Sequence, residues 1–221
     1  MTLLRARPAV AALAAILLGT SVMSGCASNV PTVPEDSTPS ATTSETPMLP
    51  TPTPTPEVTT TNDPHDPDTW IVTEQGIGPV EVADDYDESL AEIRATGVGP
   101  IDCDGVAYGP ADDNAYDIMV IKDRHDGTDE VVEITVTWLG DTMGVGPRTE
   151  EDLGLGSTKP QVLGAYERAE ESTSSIEGRS YVSITDDDSD TQLVFTYVDG
   201  YDGAVSVSVI SGAEPAYEPC A

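Results

Sequence analysis

Val132-Glu133-Ile134-Thr135-Val136-Thr137 alternates apolar and polar side chains one by one, and so does Ala204-Val205-Ser206-Val207-Ser208-Val209. A shift of 73 positions brings Val132 onto Val205 and Val136 onto Val209. Period-two patterning predicts β-strands with one face buried and one face wet. Just upstream of each run stands an acidic turn, Asp126-Gly127-Thr128-Asp129 and Asp199-Gly200-Tyr201-Asp202, superposed by the same shift. Asp-Gly between alternating runs predicts a β-hairpin, because a type I′ turn needs positive φ at both central residues.

The same reading extends outward from these two hairpins. Trp70-Ile71-Val72-Thr73 opens the folded region as a strand, and Tyr116 to Ile121 is apolar and β-rich. Two short helices are expected. One runs from Asp87 to Ala95, with Leu90 and Ile93 on one side. The other runs from about Lys159 to Ala169, with Val162, Leu163, Tyr166 and Ala169 facing inward. Thr158 and Gln161 form a T-x-x-Q capping box, and Pro160 sits in the first turn, where its missing N–H costs nothing. The shift also places Leu90 on Leu163, Gly105 on Gly178 and Tyr108 on Tyr181. The expected fold is therefore α+β, in two similar units of about 76–140 and 149–212. Each is one short helix packed on an antiparallel sheet. Together they lie in a globular domain spanning 69–221.

A tandem of short helix and antiparallel strands resembles the architecture of the β-lactamase inhibitor protein class. Gly76-Ile77-Gly78-Pro79-Val80 and Gly154-Leu155-Gly156-Ser157-Thr158 are similar to the Gly-rich strand-to-helix connections of such repeats. The resemblance is architectural; it implies the fold and no inhibitory activity.

The N-terminus sets the expected location. Arg5 and Arg7 precede an apolar run from Ala9 to Leu18, and Val22-Met23-Ser24-Gly25-Cys26 follows. This is the layout of a secretory signal with small residues beside the cut. A cysteine directly after that cut resembles the lipobox of bacterial lipoproteins, which implies that the Cys26 thiol carries a diacylglyceryl group and that 1–25 is removed. Two acyl chains hold stably where one holds marginally. The alternative is an ordinary secretory signal with a chance cysteine. From Ala27 to about Asp68 the chain reads as a disordered tether: it contains Pro50-Thr51-Pro52-Thr53-Pro54-Thr55-Pro56, which favours extended polyproline II. Signal, Thr/Pro tether and C-terminal cysteine together resemble the acidic lipoproteins of actinobacteria.

Charge narrows the partners. The chain carries 40 acidic and 9 basic side chains, a net charge of −31. Loss of Arg5 and Arg7 with the signal makes it more negative still. Such a surface repels nucleic acid, which is excluded as a partner. The expected partners are the membrane, through the lipid anchor, and an envelope protein.

With Cys26 assigned to lipidation, Cys103 and Cys220 remain in an exported chain, where disulfides persist. They are expected to pair; two free thiols are the alternative. Catalytic signatures are sparse. His65 falls in the tether, and His125 lies beside Asp123 and the Asp126-Gly127 turn. That His–Asp pair reads either as an acid–base dyad or as a solvated turn. The motifs G-x-S-x-G, S-x-x-K and H-E-x-x-H are absent, and no cofactor signature is present. Asp186, Asp188 and Asp190 alternate along an acidic stretch, a pattern hard cations accept. It lacks the glycine and terminal glutamate of an EF-hand loop, and an acidic solvated loop is the other reading. The functional expectation is a non-catalytic binding module of the cell envelope, on the extracytoplasmic face of the membrane. The alternatives are an envelope-acting hydrolase with a site near His125 and a purely structural lipoprotein.

Overall fold

The computed structural model describes residues 62–112, 115–124, 127–140, 143–185 and 190–220. In chain order they form a small hairpin, β1 (Gly76–Ile77) and β2 (Val80–Glu81), then helix α1 (Tyr86–Glu92). Strands β3 (Gly99–Pro100), β4 (Val106–Ala111), β5 (Tyr116–Lys122) and β6 (Val131–Trp138) follow. Helix α2 (Lys159–Ala165) leads into β7 (Ala169–Thr173), β8 (Arg179–Thr185), β9 (Gln192–Val198) and β10 (Ser206–Ile210). The fold is α+β. Strands β3 to β10 make one antiparallel sheet of eight in the order β3-β4-β5-β6-β10-β9-β8-β7.

Every neighbour in that sheet is consecutive in sequence except at the centre, where β6 meets β10. There Val136 faces Val207, Thr135 faces Ser208 and Ile134 faces Val209. These are the two alternating runs that define the sequence pattern, and they join the halves. One sheet face carries Ile134, Val136, Val207, Val209, Leu193, Phe195, Val182 and Ile184 into a core shared with Trp70, Ile77, Val80, Leu90, Ile93 and Leu155. Burial of these side chains is the main stabilising term, each contributing roughly 1.5–3 kcal/mol relative to exposure.

The helices are shorter than their patterns suggest. The Asp85 carboxylate accepts from the Glu88 N–H and starts α1. Past Glu92 the chain tightens into a 3-10 turn at Arg94–Thr96 and stops at Gly97, whose φ is +88°. In α2 the Gln161 side chain accepts from the Thr158 N–H at 2.8 Å, as the capping box requires. That helix ends at Ala165, because Tyr166 is already extended. Leu163 therefore points outward, 39% exposed, and Ala169 begins β7 rather than closing the helix.

Three further corrections concern strands and boundaries. Trp70-Ile71-Val72-Thr73 and Gly154–Thr158 make only isolated bridges, Ile71 and Gly154 both to Arg148, Val72 to Ile77 and Thr158 to Gly203. Asp199 is absent from the positive-φ residues while Gly200 has φ +94°, so the turn after β9 is not type I′. Finally, packing reaches back into the stretch read as tether. Asn62 Oδ1 accepts from the Ile71 N–H, the Asp63 carbonyl accepts from Trp70 Nε1, and Asp68 accepts from the Tyr116 hydroxyl at 2.6 Å.

Two glycines are needed for close approach. At Gly78 (φ +62°) a Cβ would stand 2.4 Å from the Trp70 ring. At Gly203 it would stand 2.4 Å from the Gly156 carbonyl oxygen, where the β9–β10 connection crosses the approach to α2.

Candidate functional site

The second face of the sheet was expected to be wet, and at its centre it is not. Glu133, Thr135 and Ser208 all point to that face, and all three are buried. Tyr181, Val194 and Ile210 form a small apolar cluster on the same face. The C-terminal segment after β10, residues 211–220, runs against it as a strap. The Gly212 carbonyl accepts from Gln192 Nε2, and Glu214 lies 3.4 Å from both Ser174 Oγ and Tyr181 Oη. The Ala216 N–H donates to Glu133 Oε2 at 2.9 Å, and the Arg179 guanidinium stacks 4.4 Å from the Tyr217 ring centre. Cys220 then closes a disulfide with Cys103 in the β3–β4 connection, Cα to Cα 5.7 Å. The strap thus touches β6, β8 and β9 and is locked beside β4.

Glu133 is the chemical centre of this arrangement. Thr135 donates its hydroxyl proton to Glu133 Oε1 at 2.7 Å, and Ser208 Oγ lies 2.7 Å from the same Thr135 oxygen. Thr135 has one proton to give, so Ser208 is the donor in the second contact. Among the described residues no cation pairs with this carboxylate. Burial pushes the Glu133 carboxyl above its ordinary value, and the hydrogen bonds from Ala216 and Thr135 oppose that only in part. Asp117, on β5 and the same face, is also pushed up by burial, with the Tyr108 hydroxyl at 2.9 Å opposing.

A cavity of about 410 Å³ opens beside Glu133. Ile121, Val132 and Ile210 give it an apolar floor; Lys122, Asp123 and Arg124 line it from the end of β5, and Glu214 and Ala216 from the strap. Lys122 is tied to Asp129 at 3.1 Å and lies over the Tyr86 ring. A register shift between Ile121 and Lys122 interrupts the β5–β6 pairing where it borders the cavity.

The residues singled out by sequence divide in three ways. Cys103 and Cys220 are joined, and Asp123 lines the cavity. Cys26, His125, Asp126, Asp186 and Asp188 lie outside the described residues, and Asp190 is exposed. His65 is exposed, its N–H bonded to the Asp63 side chain. Among the described residues no three acidic, His or Cys side chains converge to hold a metal, and no helix is long and apolar enough to cross a membrane. Glu133 itself was passed over, because a Glu in an alternating strand reads as solvent-facing. The available signal was the terminal Cys220, which forces some length of chain to return across the sheet.

No family model and no curated protein matches the chain. A structural likeness is found to a cysteine-rich secretory protein from Staphylococcus aureus, at 15% identity and a TM-score of 0.33. It covers 58% of this chain and 44% of the other, so this chain spans less than half of that protein.

Proposed function

We propose that this chain is an extracytoplasmic lipoprotein of the actinobacterial type, anchored through Cys26, whose folded part is a non-catalytic binding module. The observation that carries the reading is the cavity between the strap and β5–β6. It has an apolar floor, charged walls of both signs and a buried carboxylate, the composition of a small-molecule or peptide site. The lipobox-like Met23-Ser24-Gly25-Cys26 and the Thr/Pro tether support the location. Exchange of Cys26→Ser should move the exported protein from the membrane to the soluble fraction and abolish incorporation of labelled palmitate. Unchanged membrane association would refute the anchor. For the binding role, the soluble Cys26→Ser protein is immobilised and exposed to envelope extract. Specific retention that is lost in Glu133→Gln is expected; no specific retention would refute the role.

The module reads further as a duplicated helix-plus-sheet unit, in the architecture of the β-lactamase inhibitor class. Helices at 86–92 and 159–165 are offset by the sequence shift, and Gly105 and Gly178 share φ values of +74° and +77°. Thr135 and Ser208, equivalent under that shift, face each other in the central pairing. The first residue of each helix also meets the end of a strand in a cation–π pair with the roles exchanged: Tyr86 lies under Lys122, and Lys159 over Tyr197.

A further inference from the structure

We infer that the cavity beside Glu133 binds the zwitterionic backbone of a small amino acid or short peptide, its ammonium group on Glu133 and its carboxylate on Arg124. This deepens the binding-module reading and rests on it. Three observations carry it. First, Glu133 is 5% exposed, faces the cavity and has only neutral donors, Thr135 and the Ala216 N–H. Each carboxylate oxygen accepts one hydrogen bond and retains capacity for another. A buried carboxylate without a counter-charge is costly, and an ammonium group relieves that cost. Second, the lining also offers the opposite charge: Arg124, one of only 9 basic residues in the chain, lines this site, while the Lys122 ammonium is held by Asp129 over the Tyr86 ring. Third, Ile121, Val132 and Ile210 give the floor an aliphatic surface, suited to a short aliphatic side chain between the two charged ends. At about 410 Å³ the space fits a dipeptide and not a folded partner.

The order of charges also excludes the alternatives of one sign. An anion alone would face Glu133; a simple cation would leave Arg124 without a partner from the ligand. Glu214 turns its carboxylate toward Ser174 and Tyr181, so the strap's own contribution at Glu133 is the Ala216 N–H.

The test uses the disulfide-intact, full-length exported protein with Cys26→Ser. Isothermal titration is run with three probes: Ala-Leu, its N-acetyl derivative and its C-terminal amide. Binding of Ala-Leu is expected, with affinity roughly tenfold or more weaker after N-acetylation or in Glu133→Gln, as expected for loss of one partner of a buried charge pair. Arg124→Gln should weaken Ala-Leu and leave the amide unaffected, a pattern that a misfolded variant cannot produce. No binding of any probe at several millimolar would overturn the inference, as would equal binding by wild type and Glu133→Gln. If Ala-Leu fails while specific retention from envelope extract persists, the ligand class is wrong and the binding-module reading stands.

Discussion

Removing the Cys103–Cys220 bridge should lower the stability of the domain by about 5 kcal/mol in the chain-entropy model. The perturbation is Cys220→Ser, with Cys103→Ser and the double variant as controls against effects of a leftover thiol. The bridged residues are separated by 117 positions, so the cross-link restricts a very large loop of the unfolded chain. The cost of closing a loop grows only as the logarithm of its length, so the result is insensitive to the loop's details. The folded state loses little enthalpy directly. The strap retains the Ala216–Glu133 hydrogen bond and the Arg179–Tyr217 stacking, each of them a small contribution. At about 2–4 °C per kcal/mol for a domain of this size, the melting temperature should fall by roughly 10–20 °C. Calorimetry on the oxidised, reduced and variant proteins measures it. A second readout is the denaturant slope, which should rise when the unfolded chain is no longer cross-linked and exposes more surface. A fall under about 3 °C with an unchanged slope would refute the argument. It would mean that the unfolded state is already restricted, or that native strain cancels the gain.

Phe195→Ala should cost roughly 3–5 kcal/mol in chemical denaturation, because Phe195 is fully buried between core side chains of the sheet and cannot be replaced by collapse of a rigid strand. Gly203→Ala should cost about 1–3 kcal/mol, since its Cβ would meet the backbone oxygen of Gly156 rather than a side chain that can swing away. Acidification gives the third test. The folded Glu133 carboxyl titrates above its ordinary value of 4.5, so over the interval between the two values the folded state holds the extra proton. Its contribution therefore improves as pH falls through the folded value and is complete below the unfolded one. Asp117 acts in the same direction. Melting temperature should rise from pH 7 into that interval, and Glu133→Gln should flatten the rise. In that variant the introduced amide nitrogen can donate to Thr135 while the amide oxygen still accepts from Ala216, so the network reverses direction without an orphaned group. An identical pH profile in both proteins would refute the assignment.

The fold was legible where periodicity is strong. Val132 to Thr137 and Val205 to Val209 announce strands because their side chains alternate between a packed and a less apolar face, and they became the central pair of the sheet. The capping box at Thr158 and Gln161 located the start of α2, because that signal is local. Strand β7 was not legible. Ala169-Glu170-Glu171-Ser172-Thr173 has no apolar alternation, and it is an edge strand held by backbone pairing to β8. Helix ends were overestimated for a related reason: spacing of apolar residues says which face packs, and not where the backbone turns.

The sequence by itself determined the alternating central strands, the start of α2, the extreme negative charge and the two cysteines available to pair. These follow from short-range chemistry, since alternation, caps and side-chain charge act within a few residues. Only the tertiary structure decided that Glu133 is buried. The same alternation that puts it opposite the core would expose it on an isolated hairpin. It is covered because residues 211–220 return across the sheet and Cys220 fixes them to Cys103, on the far side of β4 and β5. Burial of a carboxylate is a property of what lies above it, and here that cover comes from 83 residues away in sequence, at Ala216.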